Sequence, residues 1–402
     1  MKRLRLAYLS GPVDGVQVYK TWSAGQQHDY FGTSFLSEFY QACSDLEAKS
    51  FVITTLRTGH FQHTVGTSVI ENRPLPAGKR GIFFHIAIAF WFLCRLPGLI
   101  KFRPNVLVVT ALPNYWFLLS PLRLFGIRIL PAIHGTLWPK FGTLRRSWRT
   151  LIKLNVPFYN HTDYVMAASH DTARQARMMS GRPKIYVFLP TYRPSQFAAI
   201  VSANIDKQPF RIIFAGRIEV SKGVYDLVKI AESLVKRNAP PFHIDICGAG
   251  TEIEGLIAKI SETGLNRAMT CHGFCGHQRL SELLAQSHVV IVPSTTELEE
   301  GFAMICAEAI LAERPLVTSA VCPALEYVRA ATVEAIPDDV ESYAQALFDL
   351  STDRALYKAK QVACKKLQRQ FYDESFGYAA TLSGILREWT SSTPYESDLQ
   401  LR

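Results

Sequence analysis

The sixteen residues Ser294–Ala309 constrain the fold of this chain more than any other stretch, because they join a strand end to an acidic loop and a helix. The preceding run Val289–Pro293 is rich in β-branched residues, which is typical of a strand buried on both faces. Residues 303–312 contain no glycine or proline and favour a helix that begins at the turn around Gly301. The start of such a helix would leave three N–H groups open for a phosphate or a sugar oxygen, those of Phe302, Ala303 and Met304.

Two glutamates flank this helix start. Glu300 and Glu308 are eight residues apart, which on a helical rise corresponds to at most about 12 Å and an angular offset of about 80°. At that spacing they can contact opposite ends of one ligand, and a nucleotide sugar offers sugar hydroxyls at one end and ribose hydroxyls at the other. Taken alone, such a pair is more often part of a solvated surface, so the interpretation depends on a second motif.

The second motif lies earlier in the chain. Residues 211–216 form a buried strand that ends in a glycine, and a tight loop with Arg217 and Lys222 follows. Arg217 would present a planar fork to phosphate oxygens and Lys222 a point charge, both at the carboxyl end of a strand, where open α/β sheets bind their ligands. This loop therefore predicts a diphosphate site.

Together the two motifs resemble the family-four retaining glycosyltransferases of the GT-B fold. In that family a loop with Gly-Arg and Lys-Gly binds the donor diphosphate, and a Glu-x7-Glu element follows later in the chain. The resemblance implies that Arg217 and Lys222, with the amides after Gly301, bind the diphosphate. It also implies that Glu300 acts on the donor sugar as a catalytic residue and that Glu308 binds the ribose.

The resemblance extends to two further loops of the second half. Gly248 and Gly250 form a Gly-x-Gly turn after a strand, and Phe274 and Cys275 follow the next expected strand. A Gly-x-Gly without a third glycine is common in plain turns. In order with the other motifs, these four residues resemble the positions with which the family holds the nucleobase.

Two residues of the first half also correspond to family positions. Gly32 resembles a glycine turn that faces the donor phosphates across the cleft, although Thr33 stands where the family often has a second glycine. His134, at the end of a strand, resembles a catalytic-site histidine that contacts the donor sugar, and Gly135 stands where the family often has an acidic residue. A histidine at a strand end is otherwise more often structural.

Length and composition predict a folded α/β protein with two domains. At 402 residues, of which 48% are hydrophobic and 19% charged, the chain is long enough for two cores. The resemblance implies two Rossmann-like doubly wound domains facing a central cleft, as in the GT-B fold. We expect an acceptor-binding domain at 1–190, a linker at 191–209, a donor-binding domain at 210–372, and a helix of about 375–402 that returns to the first domain.

Local patterns in the first domain predict three further elements. Residues 11–31 are polar and aromatic, and we expect a long loop there. Residues 82–96 are almost wholly apolar but shorter than the roughly 20 residues that cross a bilayer, which favours a buried or interfacial helix. Residues 114–125 predict a very hydrophobic helix.

Charge is distributed unevenly along the chain. Residues 1–200 contain 24 lysines and arginines against 8 aspartates and glutamates, whereas residues 201–402 contain 20 against 26. The basic half indicates an anionic acceptor or surface, with membrane lipid and nucleic acid as the main alternatives. Because no nucleic-acid-binding module is recognisable, we expect no nucleic-acid partner. The basic amphipathic segment 140–155 suits either an anionic bilayer or an ordinary solvated helix face.

The cysteines indicate a reducing compartment. All eight lack C-x-x-C pairing, and most lie in apolar runs, as expected of buried thiols in a cytoplasmic protein. Peripheral attachment to the inner face of the cell membrane is an open alternative. Neither zinc-type spacing nor a D-x-D motif occurs, so we expect no metal and no cofactor other than the nucleotide-sugar donor itself.

The leading hypothesis is therefore a retaining, metal-independent glycosyltransferase that moves a sugar from a nucleotide-diphosphate donor to a glycan or lipid-linked acceptor, in cell-envelope polysaccharide biosynthesis. Since no enzyme nucleophile is evident, the resemblance implies front-face transfer in which the leaving phosphate helps to deprotonate the acceptor. Two alternatives remain open. One is a nucleotide-sugar epimerase or hydrolase of the same fold, and the other is a non-catalytic protein that binds nucleotides or nucleic acid.

Overall fold

The computed structural model describes residues 4–26, 35–141, 144 and 146–391, and these form two α/β domains, each built on one sheet. Hydrophobic side chains are buried on both faces of each sheet, beneath the helices that cover it. The strands are accordingly near-continuous apolar runs, as parallel strands covered on both faces require. This confirms the expected pair of doubly wound domains.

The first domain has an eight-stranded sheet. Its strands are β1 Arg5–Leu9, β2 Lys49–Thr54, β3 Phe61–Val65, β4 Ser68–Asn72, β5 Val106–Val109, β6 Arg128–Ile133, β7 Tyr164–Ala167 and β8 Lys184–Val187. They lie in the order β3-β4-β2-β1-β5-β6-β7-β8, and only the β3–β4 pair is antiparallel among those described. The described helices are α1 Gly15–Ser23, α2 Phe35–Asp45, α3 Gly81–Leu93, α4 Leu96–Phe102, α5 Arg146–Asn160 and α6 His170–Met179, with a 3₁₀-helical segment at Pro113–Phe125.

The second domain has a six-stranded sheet. Its strands are β9 Phe210–Ala215, β10 Phe242–Cys247, β11 Met269–Gly273, β12 Val289–Val292, β13 Leu316–Ser319 and β14 Thr332–Ala335. They lie in the order β11-β10-β9-β12-β13-β14, and all pairs are parallel. Its α-helices are α7 Val224–Lys236, α8 Ile253–Glu262, α9 His277–Gln286, α10 Met304–Leu311, α11 Leu325–Val328, α12 Val340–Thr352, α13 Arg354–Leu367 and α14 Arg369–Tyr372, and the chain then continues into α15 Tyr378–Ser391. Short 3₁₀ turns lie at Pro194–Gln196, Val220–Lys222, Leu265–Arg267, Arg329–Ala331 and Glu374–Phe376.

The chain crosses between the domains twice, and the two crossing segments are hydrogen-bonded to each other. The N–H of Leu189 donates to the carbonyl of Phe376 at 2.8 Å, and the N–H of Tyr192 donates to the carbonyl of Phe371 at 2.8 Å. After the second crossing, α15 packs against α2 of the first domain. The N–H of Ala379 there donates to the buried carboxylate of Glu38 at 2.9 Å.

Two local expectations in the first domain need correction, and one element there was missed. The predicted loop at 11–31 contains α1, because the carboxylate of Asp14 accepts hydrogen bonds from two amides of the first turn and caps the helix. The β3–β4 hairpin was not predicted. The hydrophobic helix expected at 114–125 is a 3₁₀ segment, and Pro121 inside it cannot donate an α-helical hydrogen bond.

The basic helix also begins later than the segment 140–155 suggested. Lys140 precedes α5 and is held elsewhere, since its ammonium donates to the carboxylate of Asp171 at 2.9 Å and to the carbonyl of Ala320 at 3.1 Å. Arg145 lies outside the described residues. The amphipathic character is present from residue 146, where Arg149 is exposed while the other face of α5 packs on the domain core.

One buried cation fixes the helix that carries the candidate site. Arg314 follows α10 directly and is completely buried. Its guanidinium donates four hydrogen bonds to carbonyl oxygens at the ends of α9 and α10 and in the linker, so the C-terminal ends of two helices share one positive charge. The acceptors are the carbonyls of Leu284, Ala312, Val201 and Ala285, at 2.7–3.0 Å.

Candidate active site

The candidate site lies where the strand order of the second sheet reverses. From β9 the chain continues to β10 and β11 on one side, and β12, β13 and β14 extend the sheet on the other side. The loop with Arg217 and Lys222 follows β9, and the loop with Glu300 follows β12, the strand beside it. Ligands of open α/β sheets bind at such a switch point, beyond the carboxyl ends of the strands. The fold therefore brings the two predicted motifs together.

Backbone contacts join these two loops. The N–H of Thr295 donates to the carbonyl of Ser221 at 3.0 Å. Gly223 has a left-handed backbone with φ of 72°, and a Cβ atom there would stand 2.0 Å from the carbonyl oxygen of Pro293. Only glycine permits both the backbone angle and this approach, so Gly223 determines how the β9 loop sits on the β12 loop.

The predicted nucleobase glycines contact the diphosphate loop. A Cβ atom on Gly248 would stand 1.8 Å from the carbonyl oxygen of Gly216, and one on Gly250 would stand 2.1 Å from that of Ile218. The N–H of Ile218 in turn donates to the carbonyl of Ala249 at 3.0 Å. The two glycines thus hold the backbone on both sides of Arg217, and their assignment to a nucleobase stays a prediction.

The helix at this site begins later than the sequence predicts. α10 starts at Met304, and Ala303 precedes it with a left-handed backbone, φ 64°. Because such a residue cannot continue an α-helix, Gly301 remains in the loop. The helical spacing expected of Glu300 and Glu308 therefore does not apply, since only Glu308 lies on the helix.

The three amides named from the sequence are nevertheless open. The N–H groups of Phe302, Ala303 and Met304 donate no hydrogen bond to another residue in the described part of the chain. They stand at the N-terminal end of α10, where the helix dipole is positive. An anion placed there would satisfy these donors.

Gly301 lies against the first domain. A Cβ atom on it would stand 1.7 Å from the carbonyl oxygen of His134 and 3.1 Å from Cα of Gly135. A glycine is needed at this position because of the close approach of another backbone. The loop after β12 and the loop after β6 therefore meet across the cleft, which brings His134 and Glu300 to the same region.

The charges of the site are paired with one another. The ammonium of Lys222 donates to the carboxylate of Glu300, and both side chains are only 14% exposed. Arg217 is 63% exposed and donates to the carboxylate of Glu219 at 2.8 Å. An exposed pair of this kind contributes little to stability, so Arg217 can exchange Glu219 for a phosphate oxygen. The cation predicted for phosphate and the carboxylate predicted for the sugar are in direct contact.

Glu308 is buried beneath the interdomain linker. The hydroxyl of Tyr192 donates to Oε1 of Glu308 at 3.2 Å, and both residues are buried. Burial raises the pKa of Glu308 from 4.5 to about 7, and the hydrogen bond from Tyr192 opposes that rise. The carboxyl predicted to bind ribose can therefore change protonation near neutral pH.

The side chain of His134 points into an aromatic cluster. Its ring lies 4.2 Å from the ring of Phe35, 5.4 Å from that of Phe188 and 5.7 Å from that of Tyr378, between centroids. Neither ring nitrogen is accessible or hydrogen-bonded to a described residue. Burial lowers the pKa of His134 to about 3. The imidazole is therefore neutral, and its contact with a donor sugar stays a prediction.

The remaining predicted residues have the following positions. The ring of Phe274 is 56% exposed just beyond β11, and the thiol of Cys275 donates to the carbonyl of Gly273 at 3.6 Å. Gly32 lies outside the described residues. Among the described residues, no group of three or more histidine, cysteine, aspartate or glutamate side chains is arranged to hold a metal ion.

Comparison with known proteins finds sequence relatives of the second domain. The family model for glycosyl transferases group 1 matches residues 196–371. Glycogen synthase from Mycobacterium tuberculosis is 29% identical over 167 residues, which are 41% of this chain and 39% of that protein. The matched part of the chain thus spans about two fifths of the length of this curated relative.

Residues 196–371 match the group 1 glycosyltransferase family, and this matched region is the group 1 domain.

Solved structures extend the likeness to both domains. Sucrose-phosphate synthase from Thermosynechococcus elongatus has a TM-score of 0.73 at 14% identity, over 97% of this chain and 100% of that chain. The Anabaena protein HepE, solved with UDP, has a TM-score of 0.65 at 15% identity, over 97% of this chain and 100% of that chain. At these identities the likeness concerns the fold, and it confirms the GT-B arrangement around the group 1 domain.

Sequence reasoning missed the role of Tyr192 at the group 1 domain. The sequence placed Tyr192 only within the expected linker 191–209 and gave it no role. In the structure, the tyrosine hydroxyl occupies one oxygen of Glu308, 116 residues away. A tyrosine at the start of the linker was the available signal, but its partner depends on the crossing of the chain between domains.

We expect Gly301→Ala to separate the two loops that meet across the cleft of the GT-B fold. Its methyl group overlaps the carbonyl oxygen of His134, and such overpacking typically costs about 1–3 kcal/mol. Hydrogen exchange of the peptides that cover 131–138 and 296–303 should become faster than in the wild type.

Gly181→Ala is the matched control, because a Cβ atom on Gly181 meets nothing within 4 Å. Unchanged exchange in Gly301→Ala would show that the loops do not meet in solution.

The pH dependence of stability should report the buried carboxyl of Glu308. Its folded pKa of about 7 exceeds the ordinary value of 4.5, so the folded state binds an extra proton between these values and stability falls as pH rises through them. Glu308→Gln cannot ionise. Its free energy of urea unfolding relative to the wild type should therefore increase by about 3 kcal/mol between pH 5 and pH 8.

Tyr192→Phe removes the hydrogen bond that favours the ionised carboxylate, and it should move the transition to higher pH. Parallel pH profiles for the wild type and Glu308→Gln would contradict the assignment.

Proposed function

We propose that this protein is a retaining glycosyltransferase that transfers a sugar from a nucleotide-diphosphate donor to a glycan or lipid-linked acceptor, in cell-envelope polysaccharide biosynthesis. The contact between Lys222 and Glu300 beside the open amides of α10 carries the proposal. A diphosphate needs cations and N–H donors, and a donor sugar needs a carboxylate acceptor. These groups share one edge of the sheet, at the switch point of a group 1 domain.

The donor is a nucleotide sugar, with a UDP-sugar as the first class to test. Glu308 supplies the acceptor for ribose hydroxyls, and Tyr192 already holds one of its oxygens in place. Support for the uridine base comes from the fold relative HepE, which was solved with UDP. The exposed ring of Phe274 beyond β11 offers an apolar face to the base.

Transfer on this site divides charge between the leaving group and the sugar. The bond between the anomeric carbon and the phosphate oxygen breaks, and the electron pair stays on the diphosphate. Lys222, Arg217 and the amides of α10 stabilise that charge, work that a metal ion does in other transferases, so turnover is metal-independent in this proposal. Glu300 stands beside the sugar, where positive charge develops. The acceptor oxygen bonds to the same face, and its proton passes to the leaving phosphate.

The acceptor approaches from the first domain. The backbone of the first domain at His134 lies against Gly301 of the second domain. The donor site on the second domain and the acceptor site on the first therefore face each other across the cleft. The buried ring of His134 is neutral and adds no charge to the sugar site, and its nitrogens can reach a sugar only if the aromatic cluster around them rearranges. Domain closure of this kind excludes water, which would otherwise compete with the acceptor.

We expect Arg217→Ala to weaken binding of the preferred donor. Loss of a charge-assisted contact costs about 1.5–3 kcal/mol. The donor itself is found by thermal-shift screening of nucleotide sugars, and its affinity is then measured by calorimetry. Arg329→Ala is a matched control, since Arg329 is a similarly exposed arginine of the same domain that is paired with Glu334.

Equal donor affinities in Arg217→Ala and the wild type would remove the diphosphate assignment. If no nucleotide sugar stabilises the protein, the donor class is wrong. Donor turnover that does not depend on an acceptor would favour an epimerase or hydrolase instead.

We expect Glu300→Gln to lower turnover more than donor affinity, because its charge matters most when the sugar becomes cationic. Steady-state kinetics with the identified donor separates the two effects. NMR of the product should show the anomeric configuration of the donor. A rise in the Michaelis constant with unaltered turnover would make Glu300 a binding residue, and an inverted product would reject the retaining mechanism.

A further inference from the structure

Helix α3 is apolar on two opposite faces, and only one of them is covered. Ile88, Trp91 and Phe92 are buried in the core of the first domain. The uncovered side chains recur at helical spacing and lie within an arc of about 100°. They form the α3 face, which consists of Ile82, Phe83, Ile86, Phe90 and Leu93, each 49–69% exposed.

The α3 face belongs to a layer of elements on one side of the first sheet. The 3₁₀ segment Pro113–Phe125 packs against α3, α4 and α5, and all four contribute to the same hydrophobic core. The opposite side of the sheet is covered by α1, α2 and α15. The layer carries further exposed apolar side chains, namely Leu124, Phe125 and Leu154.

Charge in this layer has a single sign. Residues 72–162 contain thirteen lysines and arginines and no aspartate or glutamate. This stretch comprises α3, α4, the 3₁₀ segment, α5 and the strands between them. The carboxylates that contact this stretch from outside, Glu71 and Asp171, are already paired with its cations. An exposed apolar surface on elements without acidic residues is complementary to a surface that is both apolar and negatively charged. The exposed cations of the layer are Lys79, Arg80, Lys101, Arg103, Arg146, Arg149 and Lys153.

Length alone would also allow this segment to cross a membrane. Among the described residues, Gly81–Phe102 is the one helical stretch that is long and apolar enough to cross a membrane, with a mean hydropathy of 1.8. The packing argues for a different placement. One face of α3 is fixed in the domain core, and the helix ends at Leu93 before α4 begins. Such a helix can lie along a bilayer surface but cannot leave the domain to span it without exposing that core.

We propose that the α3 face docks this domain on the surface of an anionic phospholipid bilayer. The apolar side chains enter the boundary between headgroups and acyl chains, and the cations of the layer contact lipid phosphates. The proposal goes beyond the proposed function and does not depend on it, since no residue of the α3 face belongs to the candidate active site.

Vesicle co-sedimentation of the whole chain tests the proposal. The protein should bind vesicles of phosphatidylcholine with phosphatidylglycerol, bind pure phosphatidylcholine far less, and be released by high salt. The triple variant Arg146→Glu, Arg149→Glu, Lys153→Glu should reduce the partition coefficient about 100-fold or more. The double variant Phe83→Ser, Phe90→Ser should reduce it at least about tenfold.

The double variant Val235→Ser, Ile257→Ser is the matched control, because both residues are exposed to a similar degree on helices of the second domain. It should bind vesicles like the wild type. Equal loss in the control, or failure of the wild type to bind anionic vesicles at low salt, would overturn the proposal.

A second copy of the chain is the competing occupant of the α3 face. Analytical ultracentrifugation without lipid distinguishes it, because a dimer that Phe83→Ser, Phe90→Ser abolishes, together with no vesicle binding, would overturn the bilayer assignment. Donor binding is measured in parallel. Because the variants leave the second domain intact, loss of vesicle binding with normal donor affinity separates this proposal from the proposed function.

Discussion

The close approach of Gly301 to the carbonyl oxygen of His134 is the contact on which the candidate site depends. Each residue follows a strand of a different sheet, so the contact defines how the two domains face each other. A side chain at position 301 would occupy the space of the neighbouring backbone. The absence of a Cβ atom therefore sets the width of the cleft at the loop that carries Glu300.

Electrostatic pairing follows from this geometry. Lys222 and Glu300 are largely shielded from water, which strengthens their attraction. A bound diphosphate would compete for the same ammonium and leave the carboxylate free to face the sugar. The ion pair thus compensates both buried charges until an anionic ligand binds Lys222. No cation among the described residues pairs with Glu308 in this way, and burial raises its pKa.

The sequence predicted the parts of the site that depend on strand ends. A buried strand followed by a glycine and two cations can be placed on a parallel sheet without knowing the partner strands, and Arg217 and Lys222 lie there. The helix start was wrong by three residues. Propensity favoured a helix from Gly301, but Ala303 adopts a left-handed backbone that no propensity scale anticipates.

Other features depend on contacts between distant parts of the chain. The hydrogen bond between Tyr192 and Glu308 requires the linker to pass over α10, and the buried Arg314 requires carbonyls from three separate segments. The two faces of α3 illustrate a different limit. An apolar run in the sequence indicates how much of a helix surface is hydrophobic. Tertiary packing decides which face of that helix is buried in the domain.

The position of Tyr192 has a mechanical consequence. Its N–H is hydrogen-bonded to Phe371 in the returning crossing segment, and its hydroxyl is hydrogen-bonded to Glu308 on α10. The two crossing segments that connect the domains are therefore both held at Tyr192, inside the second domain. A rotation of the first domain relative to the second would therefore change the backbone on the far side of that anchor, towards Leu189 and α15, and would leave the helix that bears Glu308 unbent.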